Sequence, residues 1–132
     1  MNNIIYLTTQ EVIEINRIII LKYSPQEMIG VKYWDRLESA IERPKQTVFG
    51  LDAYPDIFSK GAALFESIAK DHVFQNANKR TGFACLFQFL MYNGYELNME
   101  QKYAEDFTVD VVLGEYSFED FIQIIKNNCN KL

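Results

Sequence analysis

The residues best suited to chemistry in this chain lie between His72 and Arg80. This stretch of nine residues holds the only histidine of the protein, two asparagines, a lysine and an arginine. No other side chain in the sequence has an ordinary pKa close to neutrality, so His72 is the candidate proton acceptor. The adjacent cations Lys79 and Arg80 are candidate ligands for an anion. A titrating group beside paired cations is the arrangement expected of an enzyme that acts on a phosphate ester.

A helix is predicted to begin within this stretch, between Asn76 and Lys79, and to continue through an apolar stripe that includes Phe83. The first N–H groups of a helix have no partner within it and carry a partial positive charge, so they bind anions. Ala77 is small enough to let a ligand approach the backbone there. The sequence therefore predicts an anion site next to the candidate base.

Each of these residues also has an ordinary structural explanation. A histidine that follows a helix can simply bond the last carbonyls of that helix, which would leave His72 without a chemical role. Lys79 and Arg80 can point into water. Phe74 is expected to anchor the turn in the core and is given no chemical role. The functional interpretation is favoured because all the parts occur together and in order.

Composition predicts one ordered domain over residues 1–132, large enough for a hydrophobic core. Apolar residues make up 48% of the chain and aromatic residues 14%, which argues against disorder. The formal net charge is −5 and the basic residues are scattered along the sequence. A protein that binds nucleic acid directly would instead carry a basic face, so we expect no nucleic-acid partner.

The sequence also indicates the compartment. Met1–Tyr6 lacks a basic region followed by an apolar run, and Ile18–Leu21 is too short to cross a bilayer. Cys85 and Cys129 are not spaced like metal ligands and are expected to be reduced thiols, the first of them packed on a helix. We therefore expect a cytoplasmic protein with no membrane partner.

The rest of the chain predicts a single compact all-α domain of about six helices. Thr8–Glu11 is a capping box, which favours helix over strand for the following segment, although that segment is rich in β-branched residues. Gly61 lies inside a predicted helix, where it can permit the close approach of another helix. The predicted helices cover about residues 8–23, 33–43, 56–71, 76–94 and 98–114, and a last helix opens at Ser117.

The segment Lys45–Tyr54 has no clear hydrophobic period and is interpreted as a surface loop or flap. Thr47, Val48 and Phe49 have the strongest β propensity within it and are candidates for strand-like pairing with another segment. The alternative is a loop that packs on the core through Phe49 and Leu51.

The sequence His-x-Phe-x-x-Ala-Asn-Lys-Arg-Thr over residues 72–81 resembles the signature of the Fic superfamily. Its Asn-Lys-Arg-Thr ending resembles the Doc (death-on-curing) toxin branch. Tyr33–Pro44 is similar to the segment that precedes this signature in Doc-like chains, and Thr108–Glu115 is similar to the penultimate helix of the family. On these grounds the chain is identified as a member of the Doc family over nearly its whole length.

The resemblance implies a Fic/Doc-like all-α enzyme that is the toxin of a toxin–antitoxin pair. It implies transfer of the γ-phosphate of ATP to a hydroxyl of a translation factor, elongation factor Tu or a similar protein, which would block protein synthesis. The catalytic residues would be His72, as general base, and Arg80. The phosphates would be held by Asn76, Ala77, Asn78, Lys79 and Arg80.

Two alternatives to phosphate transfer remain. Larger Fic enzymes transfer AMP to a protein hydroxyl; they have Gly at the position of Lys79 and a second arginine at the position of Phe83. The other alternative is a catalytically lapsed binding module, because the family usually has an acid at the position of Asn76. That acid helps to hold Mg²⁺, and the neutral amide oxygen of Asn76 is a weaker ligand for a hard dication. Mg²⁺ can still rely on its waters and on substrate phosphates, so ATP and Mg²⁺ are the expected cofactors.

The resemblance also implies the partners. In the superfamily, the region corresponding to Lys45–Tyr54 aligns the target protein by strand-like pairing, which makes Thr47, Val48 and Phe49 the candidate substrate flap. Some Fic proteins carry an inhibitory Ser/Thr-x-x-x-Glu-Gly/Asn helix, and this sequence contains no such match. Restraint is therefore expected from a separate antitoxin, through a segment that folds into a groove of this protein.

Overall fold

The structure, a computed structural model, describes residues 3–132, so the first two residues of the Met1–Tyr6 segment lie outside it. Six helices form the all-α fold predicted from the sequence. They are α1 (Thr9–Tyr23), α2 (Trp34–Glu42), α3 (Ile57–Lys70), α4 (Asn78–Tyr92), α5 (Gln101–Val112) and α6 (Phe118–Asn127). Two short antiparallel ribbons accompany them, β1 (Thr47–Val48) with β2 (Leu51–Asp52) and β3 (Tyr95–Leu97) with β4 (Cys129–Lys131).

The start of α1 confirms the predicted capping box. The hydroxyl of Thr8 accepts from the N–H of Glu11 at 3.1 Å, and the Glu11 carboxylate accepts from the N–H of Thr8 at 2.9 Å. These two bonds satisfy N–H groups that a helix start leaves without partners. The helix prediction for this β-branched segment is therefore correct, and the helix ends at Tyr23, before Ser24 and Pro25.

Helix α3 is the centre of the fold, since ten of its fourteen residues are buried. Helix α4 lies against it, and a glycine on each helix brings the two close. A Cβ atom on Gly61 would lie 3.0 Å from a terminal methyl of Leu86, which confirms the close approach predicted at this position. A Cβ atom on Gly82 would lie 3.0 Å from the backbone nitrogen of Ala69 and 3.1 Å from the carbonyl oxygen of Phe65. Helix α4 is thus fixed against the last turn of α3.

Aromatic side chains join α3 to the two C-terminal helices. The ring of Phe65 stacks on Phe107 of α5, with centroids 5.7 Å apart, and meets Phe121 of α6 edge-on at 6.2 Å. All three rings are buried. Offset and edge-on contacts of this kind stabilise a core beyond the area they bury.

Two predicted helix boundaries need correction. The second helix ends at Glu42, and Arg43–Lys45 forms a separate 3₁₀ turn that contains Pro44. The fifth helix begins at Gln101 and not at Asn98, because the Glu100 side chain caps it by accepting from the N–H of Tyr103 at 3.1 Å. The N–H of Asn98 donates instead to the carbonyl of Asn128 at 2.8 Å, beside the β3–β4 ribbon.

The segment predicted to be a flap forms the β1–β2 hairpin. Phe49 lies at its turn with φ of 52° and is fully exposed (101%), and Leu51 is 75% exposed. The alternative in which these two residues pack on the core is therefore wrong. The hairpin is tied to α3 by the buried Lys60, whose ammonium group donates to the carbonyl of Pro44 at 3.1 Å and lies 3.4 Å from the Asp52 carboxylate.

Both cysteines are free thiols, as expected from the sequence. Cys85 is fully buried on α4, and burial raises the pKa of its thiol far above the ordinary value. Partial burial raises the pKa of Cys129 to about 11. None of the helices within residues 3–132 combines the length and the apolar character needed to cross a bilayer.

Candidate active site

His72 lies two residues after the end of α3 and adopts the left-handed conformation, with φ of 55°. Its side chain is exposed, and its ring makes no hydrogen bond within residues 3–132. The end of α3 is closed by other groups: the N–H of Asp71 donates to the carbonyl of Ser67 at 3.0 Å, and the Arg36 guanidinium donates to the carbonyl of Asp71 at 2.9 Å. The imidazole therefore does not cap the helix and is available to a ligand.

The chain after His72 is fixed by the segment that joins α1 to α2. The N–H groups of Lys32 and Tyr33 both donate to the carbonyl of Val73, at 2.8 and 3.2 Å. Phe74 forms an isolated β-bridge with Val31, and its side chain is buried, as predicted for the anchor of this turn. These contacts hold the loop after His72 against the segment between α1 and α2.

The side chain of Asn78 closes the loop on itself. Its Oδ1 accepts from the N–H of Phe74 at 2.9 Å, and its Nδ2 donates to the carbonyl of Phe74 at 3.0 Å. The amide is thus engaged in shaping the loop, a role that the sequence did not reveal. A contact from Asn78 to phosphate would come from its backbone N–H or from the second amide hydrogen.

Ala77 is the N-cap of α4 and adopts the left-handed conformation, with φ of 62° and ψ of 31°. No side chain within residues 3–132 caps the helix at this residue. The first hydrogen bond of the helix runs from the N–H of Thr81 to the carbonyl of Ala77 at 2.9 Å. The N–H groups of residues 77–80 precede this bond, so they form the partial positive charge that was predicted to attract an anion.

Two full positive charges adjoin these N–H groups. Lys79 and Arg80 are exposed, and neither forms an ion pair in the part of the chain that the structure describes. The guanidinium carbon of Arg80 lies 4.6 Å from the centre of the Tyr23 ring, a cation–π contact that orients it from α1. Sequence reasoning missed Tyr23, because an aromatic residue at the end of a helix has no distinctive pattern.

A cleft of about 920 Å³ brings the predicted residues together. His72 and residues 76–80 all border it, together with residues from α1, α4 and α5. The Thr47–Phe49 stretch of the hairpin does not border the cleft. A volume of this size suits a small-molecule ligand such as a nucleotide. The apolar part of the wall is formed by Ile19, Phe83, Ala84, Met99, Ala104, Val109 and Val112.

The residues around Asn76 fit a metal ion only as part of a ligand complex. The Nδ2 of Asn76 donates to the carbonyl of Met28 at 3.0 Å, which leaves Oδ1 as the atom that could face a cation. Residues 3–132 contain no group of three histidine, cysteine, aspartate or glutamate side chains placed to hold a metal. A Mg²⁺ ion here would therefore depend on phosphate oxygens and water for most of its ligands.

Asn16 of α1 is the other residue that sequence reasoning missed. It is buried, and its amide reaches the loop and the start of α4. The sequence did contain a signal for it, since Asn16 lies four positions after Val12 and four before Ile20. Both of these apolar residues are buried. An isolated asparagine on an apolar helix face indicates a buried hydrogen bond but does not identify its partner.

Residues 6–90 match a family model described as the Fic/DOC family. The chain is also 42% identical, over 82 residues, to a protein named Toxin Doc from Mycolicibacterium smegmatis (strain ATCC 700084 / mc(2)155). This alignment covers 62% of the chain and 58% of the relative, less than two thirds of the length of that protein.

Proposed function

The chain belongs to the Fic/DOC family, and on this premise we propose that it is the toxin of a toxin–antitoxin pair. Its proposed activity is transfer of the γ-phosphate of ATP to a hydroxyl of a translation factor similar to elongation factor Tu, in the cytoplasm, which blocks protein synthesis. A separate antitoxin protein is its proposed restraining partner. The name of the relative, Toxin Doc, supports the toxin assignment.

The observation that carries the proposal is the exposed imidazole of His72 at the edge of a cleft that also contains the N–H groups of residues 77–80. In the proposed step, His72 accepts the proton of the target hydroxyl. The hydroxyl oxygen then forms a bond to the γ-phosphorus, and the bond between that phosphorus and the β–γ bridging oxygen breaks. ADP leaves with the electron pair of that bond. A positioned base of this kind contributes roughly 10²- to 10⁴-fold to the rate.

The phosphates of ATP are proposed to lie against the start of α4. Phosphate oxygens would be bound by the backbone N–H groups there, by the ammonium group of Lys79 and by the planar guanidinium of Arg80. Arg80 is also the residue proposed to stabilise charge on the transferred phosphoryl group. The contact between Arg80 and Tyr23 supports this role because it limits the directions in which the guanidinium points.

Mg²⁺ would enter with the nucleotide, and Asn76 is the residue that could offer it an oxygen through Oδ1. When bound, the ion would neutralise phosphate charge and orient the polyphosphate. Asn76 is a neutral metal ligand, and residues 3–132 contain no acidic cluster that could hold the ion. The proposal therefore depends more on the backbone N–H groups that bind phosphate than on a protein-bound metal ion.

Transfer of AMP is the second candidate activity. Phosphate transfer is favoured because both cations lie at the start of α4, whereas Phe83, one turn later, contributes an apolar side chain to the cleft wall. A lapsed binding module is a third candidate, and the neutral Asn76 is the feature that favours it.

Incubation with γ-labelled and with α-labelled ATP separates these candidates. The protein, purified elongation factor Tu and Mg²⁺ are incubated with each nucleotide, and the products are analysed by intact mass. We expect the target to gain the γ label and the mass of one phosphate, with no transfer of the α label. Transfer of the α label would establish AMP transfer instead.

His72→Ala is the matched variant, because an exposed side chain can be removed there without disturbing the core. We expect this variant to keep the fold, measured by circular dichroism, and to lose both label transfer and growth arrest on expression. A wild-type protein that is harmless and transfers no label to any candidate target would establish the lapsed module.

A further inference from the structure

Asn16 makes two hydrogen bonds that reach from α1 to the two sides of Ala77. Its Nδ2 donates to the carbonyl of Asn76 at 2.9 Å and to the hydroxyl of Thr81 at 3.0 Å. Asn16 is 1% exposed, and Thr81 is fully buried. We propose that Asn16 is a positioning residue, which holds the loop before α4 in the shape that presents its N–H groups to phosphate. This inference rests on the nucleotide site proposed above.

The bond to the Asn76 carbonyl sets the direction of one N–H group. In a trans peptide the C=O and the following N–H point in opposite directions. Because Asn16 holds the carbonyl of Asn76, the N–H of Ala77 is directed away from Asn16. Rotation of this peptide plane would turn the carbonyl dipole towards the phosphate and remove a donor, so the bond has a direct effect on anion binding.

The same bond opposes relaxation of Ala77. An alanine is seldom found with φ of 62°, because its Cβ atom crowds the backbone in the left-handed region. Such a residue stays there only when its surroundings fix it from both sides. Asn16 provides that restraint through the carbonyl before Ala77 and through Thr81, whose N–H donates to the carbonyl of Ala77.

The other side chains of the loop do not bond to this peptide. The Asn78 amide bonds to Phe74 and so spans the Asn76–Ala77 peptide without bonding to it, and the Asn76 side chain bonds to Met28. Among residues 3–132, Asn16 is the residue whose side chain hydrogen-bonds to both this peptide and the first turn of α4. Loss of its amide should therefore loosen the loop while the neighbouring bonds remain.

The experiment replaces Asn16 by leucine, which has a similar volume and cannot donate, and in a second protein replaces Thr81 by valine. Thr81→Val is close to isosteric and covers the case in which Asn16→Leu fails to fold. Ser67→Ala is the matched control, because Ser67 is a buried polar residue that bonds to Arg43 and does not border the cleft. Amide hydrogen exchange and affinity for the ATP analogue AMPPNP are measured where circular dichroism shows each protein to be folded.

We expect faster exchange at the amides of Gln75 and Thr81, by about tenfold in Asn16→Leu, and an AMPPNP affinity that is about tenfold weaker. Exchange in the middle of α3 should stay at the wild-type rate, and Ser67→Ala should match wild type in both measurements. The proposal is overturned if Asn16→Leu and Thr81→Val keep wild-type exchange and affinity, or if Ser67→Ala weakens AMPPNP binding equally. Should the wild type bind no AMPPNP, the proposed nucleotide site is wrong, and the exchange rates still decide the role of Asn16.

Discussion

The amide of Asn78 pairs with both backbone polar groups of Phe74, at 2.9 Å to its N–H and 3.0 Å to its carbonyl. This pair sets the width of the loop between His72 and α4. It also means that the first residue of α4 is joined to the buried anchor of the loop. The backbone of Phe74 and the N–H groups at the start of α4 are therefore held close together.

Replacement of Asn78 by alanine should destabilise the protein by about 1–3 kcal/mol, because two backbone groups lose their partners in a partly buried site. Urea unfolding measures the change. Asn98→Ala is the control, since Asn98 is exposed and its side chain makes no hydrogen bond within residues 3–132. Equal stability of the two variants would contradict the role given to Asn78.

Gly82→Ala should destabilise the protein more than Gly61→Ala. The new Cβ atom at Gly82 would meet the backbone of Ala69 and Phe65, which cannot move without shifting α3. At Gly61 the nearest atom is the end of the flexible Leu86 side chain. Overpacking costs about 1–3 kcal/mol, against a gain of about 1 kcal/mol from helix propensity. A net loss is expected only for Gly82→Ala, and unfolding by guanidinium chloride measures both.

Asn76→Asp introduces the acid that the family resemblance implies at this position. It also removes a hydrogen-bond donor. A carboxylate cannot donate to the carbonyl of Met28, so we expect a loss of about 1 kcal/mol in Mg²⁺-free buffer. Thermal unfolding, with Asn98→Asp as the control for added charge, tests this. If Asn76→Asp proves as stable as wild type without Mg²⁺, the bond to Met28 contributes nothing.

The pKa of Glu11 is lowered from its ordinary value of 4.5, chiefly by the hydrogen bond from the Tyr92 hydroxyl and then by the N–H of Thr8. A carboxyl whose pKa is lower in the folded state stabilises the protein above pH 4.5 and loses this effect as the pH falls through the folded value. Tyr92→Phe should therefore be less stable than wild type at pH 7. The difference should shrink at about pH 3, as measured by urea unfolding at both pH values.

Phe49→Asn tests the hairpin as a substrate flap. Phe49 is fully exposed, and asparagine accepts the left-handed conformation that this turn requires, so stability should change by less than about 0.5 kcal/mol. We expect AMPPNP affinity to be unchanged and phosphate transfer to the protein target to fall at least about fivefold through a higher KM. Unchanged KM for the target would remove Phe49 from the docking surface.

Local sequence features predicted the helices well. Thr8, Asp56 and Ser117 accept from N–H groups at helix starts, and such caps depend on residues three positions apart. The Asn98 boundary was wrong because the competing bond comes from Asn128, thirty residues later in the chain. The β3–β4 ribbon was missed for a similar reason, since strands of three residues are too short to carry a hydrophobic period.

The residues of the candidate site also fall into two groups: those that are adjacent in sequence and those that tertiary packing brings to the site. His72 and residues 76–80 lie within nine residues of one another in the sequence, so the sequence alone could indicate that they act together. Tyr23 and Asn16 reach the site only because α1 packs beside α4, and neither is close to the loop in sequence. The local sequence pattern identifies the groups that would contact a ligand. The residues that orient those groups are brought to the site by tertiary packing.

The burial of α3 has a consequence for how the site is lost under denaturing conditions. His72 lies two residues after this helix ends at Lys70, and Gly82 of α4 packs against Ala69 in the last turn of the same helix. Both sides of the site are thus attached to the end of α3, a helix in which ten of fourteen residues are buried. Ligand-binding capacity and global structure should therefore disappear in a single cooperative transition with increasing urea.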